Sequence, residues 1–173
     1  MVTQMADLTI ALAGNPNAGK TTIFNALTGL HQHTGNWPGK TVEKKEGEIE
    51  HGNLKINVVD LPGTYSLTAY SPEEIVARDF IIQEHPDVVI NVVDATNLER
   101  NLYLTIQILE LDVPVVLALN MTDALHKDGA KINLEQLSEL LGNIPIVSTS
   151  ANQGKGISDL IAKAVHEAGK KLT

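Results

Sequence analysis

The sequence predicts an α/β domain: a three-layer fold with a mostly parallel sheet, one antiparallel edge strand, and helices on both faces. Three observations predict it. Short apolar runs alternate with stretches of helical periodicity, as strands joined by crossover helices do. Each notable polar cluster (Gly14–Thr21, Asp60–Gly63, Asn120–Asp123, Thr149–Ala151) directly follows a strand-like run. In an open α/β sheet the ligand sits at the carboxyl ends of the strands, so these clusters fall where a site belongs. A length of 173 residues suits one domain with a sizeable core and is short for two, and no repeat or Pro/Ser-rich linker divides it.

The elements follow in order. Leu8–Ala13 is a nearly unbroken apolar run, as in a buried parallel strand. After the glycine loop, Ile23, Phe24 and Leu27 share one helical face. Gly29–Lys40, with Gly35, Asn36, Pro38 and Gly39 as breakers, reads as a polar loop. Thr41–Glu50 and Leu54–Val59, separated by His51-Gly52-Asn53, read as an antiparallel hairpin. Ser71 caps a helix with Pro72 in its first turn and Glu74 closing a capping box, and that helix runs to about Glu84. Val88–Val93 is a buried strand ending at Asp94, and Leu98, Leu102, Ile106 and Leu109 mark an amphipathic helix. Pro114–Asn120 is the next strand, followed by a loop over Met121–Lys131. Asn133 and Gln136 form another capping box, Gly142 stops that helix, and Ile144–Val147 is a short strand. Ile157, Leu160, Ile161, Ala164, Val165 and Ala168 describe a strongly amphipathic closing helix.

Composition excludes several function classes. A formal net charge of −8 argues against a nucleic-acid partner bound through a broad basic surface. The absence of cysteine removes disulfides, thiol nucleophiles and Cys-based zinc sites, and fits a reducing compartment. Met1–Asp7 lacks a basic segment followed by an apolar core, so no signal peptide is expected. The longest apolar runs fall far short of the ~18 residues a membrane-spanning helix needs, so no direct membrane insertion of this chain is expected.

The chemistry centres on Gly14-Asn15-Pro16-Asn17-Ala18-Gly19-Lys20-Thr21, which fits G-x-x-x-x-G-K-[ST] and stands between a strand and a helix. Gly14 and Gly19 permit a tight turn whose successive N–H groups converge on one anion, and the helix beginning near Gly19 adds its positive dipole end. Lys20 can reach β- and γ-phosphates, and the Thr21 hydroxyl can ligate Mg²⁺. Asp60-Leu61-Pro62-Gly63 read alone is a plain turn. Downstream of a P-loop, Asp60 can hold Mg²⁺ through water while the Gly63 N–H meets a γ-phosphate. Asn120-Met121-Thr122-Asp123 resembles the base-reading Asn-Lys-x-Asp of GTPases, with Met121 in place of the Lys. The Asp123 carboxylate offers only acceptors, which suits the N1–H and 2-amino donors of guanine and rejects adenine. Thr149-Ser150-Ala151 resembles the fifth GTPase motif, whose backbone N–H approaches the guanine carbonyl.

Four longer stretches together narrow the resemblance. They are the P-loop itself, Gly35-Asn36-Trp37-Pro38-Gly39-Lys40-Thr41-Val42-Glu43, Asp60-Leu61-Pro62-Gly63-Thr64-Tyr65-Ser66, and Asp94–Leu104 with the preceding Asn91-Val92-Val93. Across nearly its whole length the chain resembles the amino-terminal G domain of FeoB, the ferrous-iron transport family of prokaryotes. The resemblance implies a Ras-like P-loop GTPase fold and GTP hydrolysis with Mg²⁺, stimulated by K⁺. It implies nucleotide contacts from Gly14–Thr22 (Thr22 included), from Gly39, Lys40, Thr41, Val42 and Glu43, from Asp60, Leu61, Pro62 and Gly63, from Asn120, Met121 and Asp123, and from Thr149, Ser150 and Ala151. Asn17, Lys20, Thr41 and Gly63 are the residues it implies for hydrolysis, and Thr21, Thr41 and Asp60 those for Mg²⁺. Gly35–Glu43 looks like switch I and Asp60–Tyr70 like switch II. Asn17 matches a residue that ligates K⁺ in potassium-stimulated relatives, with carbonyls near Gly35 and Trp37 completing the site; otherwise it stiffens the loop by an Asx-type hydrogen bond.

Thr64 stands where Ras-like enzymes carry a water-orienting Gln, so hydrolysis should be slow or rely on backbone groups and a cation. His31 and His33 form an incomplete metal site and read as solvated loop histidines. Trp37, odd in a polar loop, either packs on the domain in one nucleotide state or stands half exposed. In the resembling family a helical regulatory domain and a membrane portion follow, so a cytoplasmic domain of a cell-membrane protein is expected, ending here at Lys170–Thr173. Other readings remain: a ribosome- or RNA-modification-associated GTPase, a P-loop kinase for a small metabolite, or a nucleotide-sensing module with negligible turnover.

Overall fold

The computed structural model describes residues 6–170, so the readings made on Met1–Met5 and Lys171–Thr173 lie outside the described residues. Seven strands form a single sheet: β1 (Leu8–Gly14), β2 (Gln32–Asn36), β3 (Glu43–His51), β4 (Leu54–Asp60), β5 (Val88–Asp94), β6 (Val115–Asn120) and β7 (Ile146–Ser148). Their spatial order is β2-β3-β4-β1-β5-β6-β7. Strands β4, β1, β5, β6 and β7 run parallel, and β2 and β3 complete the sheet antiparallel. Because five neighbouring strands share one direction, the loops that leave β1, β4, β5, β6 and β7 all emerge at one edge of the sheet. That is the fold's contribution to the site.

Alternation along the strands dictates the layers. Leu8, Ile10 and Leu12 of β1 pack against Ile23 and Phe24 of α1 (Lys20–Thr28) and Leu160, Ala164 and Ala168 of α6 (Ile157–Lys170). Ala11 and Ala13 of the same strand face Val76, Ala77 and Ile81 of α2 (Pro72–Glu84) and Leu104 and Ile108 of α3 (Leu98–Leu109). Phe24 is completely buried, and burial of such a side chain contributes about 1.5–3 kcal/mol. Further along the second face, Leu137 and Leu141 of and just after α5 (Leu134–Leu140) cover Val93, Leu117 and Leu119.

Several local expectations are corrected. Gly29–Lys40 is not all loop, because Gln32–Asn36 forms β2 in register with Glu43–Gly47 of β3. The five residues Gln-His-Thr-Gly-Asn carry no apolar alternation and are mostly exposed, so backbone pairing alone makes the strand. The antiparallel edge therefore holds two strands, and β3 begins at Glu43, because the Trp37 N–H donates to the Val42 carbonyl (2.9 Å) and closes the turn between them. Gly47 permits this edge to approach α1: a Cβ there would meet the Thr28 side chain at 2.6 Å and the His31 carbonyl at 2.7 Å. Met121–Lys131 contains a short helix, α4 (Thr122–Lys127), whose Leu125 packs on the core. In α3, Leu98, Leu102 and Leu109 pack as read, but Ile106 is 50% exposed. The fully buried line is Asn101, Leu104, Thr105 and Ile108, which an apolar count misses because half of it is polar.

Candidate functional site

The P-loop leaves β1 at Gly14 and enters α1 at Lys20, and it walls a cleft of about 550 Å³. Asn15, Pro16, Asn17, Gly19, Lys20, Thr21 and Thr22 line this cleft, together with Gly63 and Met121. The backbone turns through left-handed conformations at Asn17 (φ 70) and Gly19 (φ 94), which directs consecutive N–H groups inward. Gly19 is required twice over: besides its φ, a Cβ there would lie 2.1 Å from the Asn120 amide nitrogen. Lys20 is buried, and its ammonium donates to the buried carboxylate of Asp60 at the end of β4. The P-loop lysine and the acid of the second motif are thus already joined. Both polar side-chain atoms of Asn15 are buried and form no hydrogen bond among the described residues.

Asn120 ties this loop to the two motifs beyond it. Its Nδ2 donates to the Ala18 carbonyl (3.0 Å), and its Oδ1 accepts from Thr149 Oγ1 (3.0 Å) and the Ala151 N–H (3.1 Å). The residue is buried, so its role here is that of a brace between β1, β6 and β7 loops. Next to it Met121 adopts a left-handed conformation (φ 63) and turns the chain so that its side chain lines the cleft. Asp123 accepts from Ser150 Oγ (3.1 Å) and Gln153 Nε2 (3.2 Å). Partial desolvation raises its carboxyl pKa. Hydrogen bonds from Ser150 and the backbone N–H groups of Ala124 and Asp123, with the Lys127 charge, outweigh that and hold it below the usual aspartate range. An ionised, acceptor-only group therefore stands beyond Met121.

Of the Asp60–Tyr70 segment, Gly63 lines the cleft. The Leu61 N–H donates to the Leu12 carbonyl (3.0 Å) and the Thr64 N–H to the Gly14 carbonyl (3.1 Å). Gly63 lies against Pro16, where a Cβ would come within 3.4 Å. Leu61 and Thr64 are buried; Pro62 is half-buried between them. Farther on, the Glu74 carboxylate gathers Ser66 Oγ, Thr68 Oγ1, the Thr68 N–H and Ser71 Oγ. The Thr68 hydroxyl is the largest influence holding the Glu74 carboxyl below its ordinary range; burial opposes it, and Ser66, Ser71 and the Thr68 amide add to it.

Gly39, Lys40, Thr41, Val42 and Glu43 do not line the cleft. Gly39–Val42 belong to the turn between β2 and β3 and Glu43 begins β3, with the Lys40 N–H donating to the Trp37 carbonyl (2.9 Å) and Thr41 exposed. Trp37 is buried against α2, edge-on to Phe80 with ring centroids 5.6 Å apart and planes at 70°, and the Lys44 ammonium lies 4.8 Å from its ring. Its ring nitrogen is buried with no partner among the described residues. Gly35 lies in β2, so neither it nor Trp37 lines the cleft where Asn17 does. The Asn17 side chain is exposed, and none of its hydrogen bonds joins it to another described residue, which leaves the Asx reading without support. His31 and His33 are exposed, and no group of three or more His, Cys, Asp or Glu among the described residues could hold a metal ion. His33 sits on β2 rather than in a loop.

A polar network behind the P-loop escaped sequence reasoning. Asn91 of β5 donates from Nδ2 to the Ala13 carbonyl (3.3 Å) and accepts from Thr105 Oγ1. Asn101 Oδ1 accepts the Asp94 N–H (3.1 Å), and its Nδ2 donates to the Asn97 carbonyl (2.8 Å). Four buried or half-buried polar groups thus lock the start of α3 to the strand beside β1. The available signal was Asn91, a polar residue inside the run Val-Val-Ile-Asn-Val-Val.

Comparison with known proteins agrees with this architecture. The chain is 51% identical over 166 residues to the Fe(2+) transport protein A/Fe(2+) transporter FeoB fusion protein of Porphyromonas gingivalis, covering 94% of this chain and 20% of that protein. It superposes with a TM-score of 0.90 on the cytosolic domain of the T. maritima FeoB iron transporter in a GDP form, at 46% identity, over 96% of this chain and 65% of that one. The FeoB G-domain of Methanococcus jannaschii gives a TM-score of 0.84 at 49% identity, over 95% of this chain and 99% of that one. The chain spans about a fifth of the length of the curated relatives it matches. Residues 8–164 match the family model for ferrous iron transport protein B, so the β1-to-α6 domain described above belongs to the FeoB family, in the Ras-like P-loop GTPase fold of its G domains.

Proposed function

We propose that this chain binds and hydrolyses GTP as a Mg²⁺-dependent regulatory domain of a ferrous-iron transport protein, with Gly35–Glu43 and Asp60–Tyr70 as its nucleotide-responsive loops. The observation that carries this reading is Asn120, which couples the P-loop at Ala18 to the base-reading motifs at Thr149 and Ala151 through three hydrogen bonds. A phosphate grip and an ionised base selector are thereby held at a constant spacing. The T. maritima relative solved in a GDP form supports the choice of nucleotide.

The Lys20–Asp60 pair suggests how binding proceeds. Phosphate oxygens compete with Asp60 for the Lys20 ammonium, and the released carboxylate can then act elsewhere. The hydroxyl of Thr21 and the carboxylate of Asp60 are hard oxygen donors, the type Mg²⁺ takes when phosphates complete its shell. Bound there, Mg²⁺ would neutralise charge developing on the β- and γ-oxygens. In this reading the Gly63 N–H would meet the γ-phosphate, and the closeness of Gly63 to Pro16 of the P-loop supports it. Thr41 reaches the site only if the turn carrying it leaves α2. The Asn17 amide oxygen, free at the cleft, fits a monovalent cation such as K⁺, with Gly35 and Trp37 carbonyls arriving by the same movement. Coupling to helical and membrane-spanning parts of a parent protein at the cell membrane, without nucleic acid, belongs to this proposal. Among the described residues no helix is long and apolar enough to cross a membrane.

Base selection tests the reading. Titration with GTP, ATP and XTP in K⁺ buffer should show binding of GTP and rejection of ATP by the native chain. Asp123→Asn supplies a donor to the xanthine carbonyl and should move preference from GTP to XTP. Comparable affinity for ATP and GTP, or an unchanged preference in Asp123→Asn, would overturn the proposal.

A further inference from the structure

The Asp94–Leu104 segment is one of the four stretches that carry the family resemblance, yet the proposed chemistry uses none of its side chains directly. Arg100 lies within it. Its guanidinium carbon stands 4.5 Å from the centroid of the Tyr65 ring, although Tyr65 is 46% exposed and nothing in the core forces the two together. Arg100 forms no ion pair among the described residues, so this stack is its principal contact. Two helical turns later on the same face of α3, Gln107 Oε1 accepts the Leu67 N–H at 2.6 Å. The loop after β4 is thus strung between two supports. Gly63 and Thr64 rest on the P-loop through Pro16 and the Gly14 carbonyl, and Tyr65 and Leu67 rest on α3. Tyr65 and Arg100 also line, with Asn15 and Asn17, a polar cavity of about 170 Å³, so the stack borders the P-loop directly.

We propose that Arg100 is a positioning residue: stacked on Tyr65, it holds the Thr64–Leu67 stretch against α3 and thereby sets where the Gly63 N–H stands beside the P-loop. A planar guanidinium is suited to this, because it stacks on a ring face while remaining hydrated at its edge. The inference rests on the proposed reading of this loop as the γ-phosphate sensor. Neither Arg100 nor Tyr65 is itself among the residues assigned to nucleotide contact, so loss of the stack should alter turnover while the Lys20 grip and the Asp123 base selector still hold GTP.

The test combines amide hydrogen exchange over residues 61–70 with GTP titration and turnover, on Arg100→Ala, Arg100→Lys, Tyr65→Ala, Tyr65→Phe and the double alanine variant. Arg100→Ala and Tyr65→Ala should each speed exchange in that stretch and lower kcat by about two- to fivefold, the factor an exposed cation–π contact supports. The dissociation constant for GTP should stay at the native value. Tyr65→Phe keeps the ring and should behave as native, Arg100→Lys should fall between, and the double variant should be no worse than either single one. Native exchange in Arg100→Ala, or effects that multiply in the double variant, would overturn the proposal. Faster exchange with unchanged kcat would also overturn it, leaving a contact that shapes the loop alone. If the native chain binds GTP without turning it over, the proposed function fails separately, and the exchange data still support or overturn the hold of Arg100 on the loop.

Discussion

Replacing Asn120 by alanine should destabilise the chain in the absence of any nucleotide. The side chain is buried and forms three hydrogen bonds of 3.0, 3.0 and 3.1 Å, to the Ala18 carbonyl, Thr149 Oγ1 and the Ala151 N–H. Each such bond contributes about 0.5–1.5 kcal/mol net, so their joint loss amounts to about 3 kcal/mol. For a domain of this size that lowers the melting temperature by about 6–12 °C. The assay is thermal unfolding followed by circular dichroism in nucleotide-free buffer, with Asp123→Ala as the comparison. Asp123 accepts its bonds from Ser150 and Gln153 near the surface, where water replaces them, so its loss should lower the melting temperature far less. Both substitutions should abolish guanine-nucleotide binding, so only the melting curve separates a brace from a base contact. A nucleotide-free Asn120→Ala that melts within a degree or two of the native chain would refute the brace.

Two other predictions follow from the loops around the cleft. The Glu74 carboxyl is held below its ordinary value of 4.5, so the fold favours its ionised form. Its contribution to the order of Ser66–Ser71 is complete above about pH 4.5 and is lost as pH falls through the lowered pKa. Exchange at the Thr68 amide should rise over that acidic window in the native chain and show no such step in Glu74→Gln. Trp37 is the sole tryptophan, so its emission reports the β2–β3 turn. Saturation with Mg²⁺ and a non-hydrolysable GTP analogue should shift it to the red as the ring leaves Phe80, and Phe80→Ala should produce that shift without nucleotide. Identical emission with and without the analogue would show that the turn stays on α2.

How much of the site was legible depended on whether its residues act through local pattern or through contacts between distant segments. Lys20 and Thr21 follow from eight consecutive residues, because a phosphate-binding turn is a local object built from backbone N–H groups and two adjacent side chains. Asp123 was legible from the donor pattern of a purine edge. Asn120 belongs to the same motif, but its partners Ala18 and Ala151 lie 102 and 31 residues away, and only the fold shows that it spans them. The same limit hid the Lys20–Asp60 pair, 40 residues apart, and the placement of Trp37 on Phe80.

By itself, the sequence determined the alternation of strands and helices, the P-loop, and the candidate base selector, because apolar periodicity and turn chemistry are written in neighbouring residues. Tertiary structure alone decided that Gln32–Asn36 is a strand, that Asn101 and Thr105 belong inside, and that the Thr41 turn rests on α2 away from the cleft. The physical reason is common to all three. A polar backbone or side chain can be buried or ordered only when a partner remote in the chain completes its hydrogen bonds or covers its surface, and no local pattern carries the position of that partner.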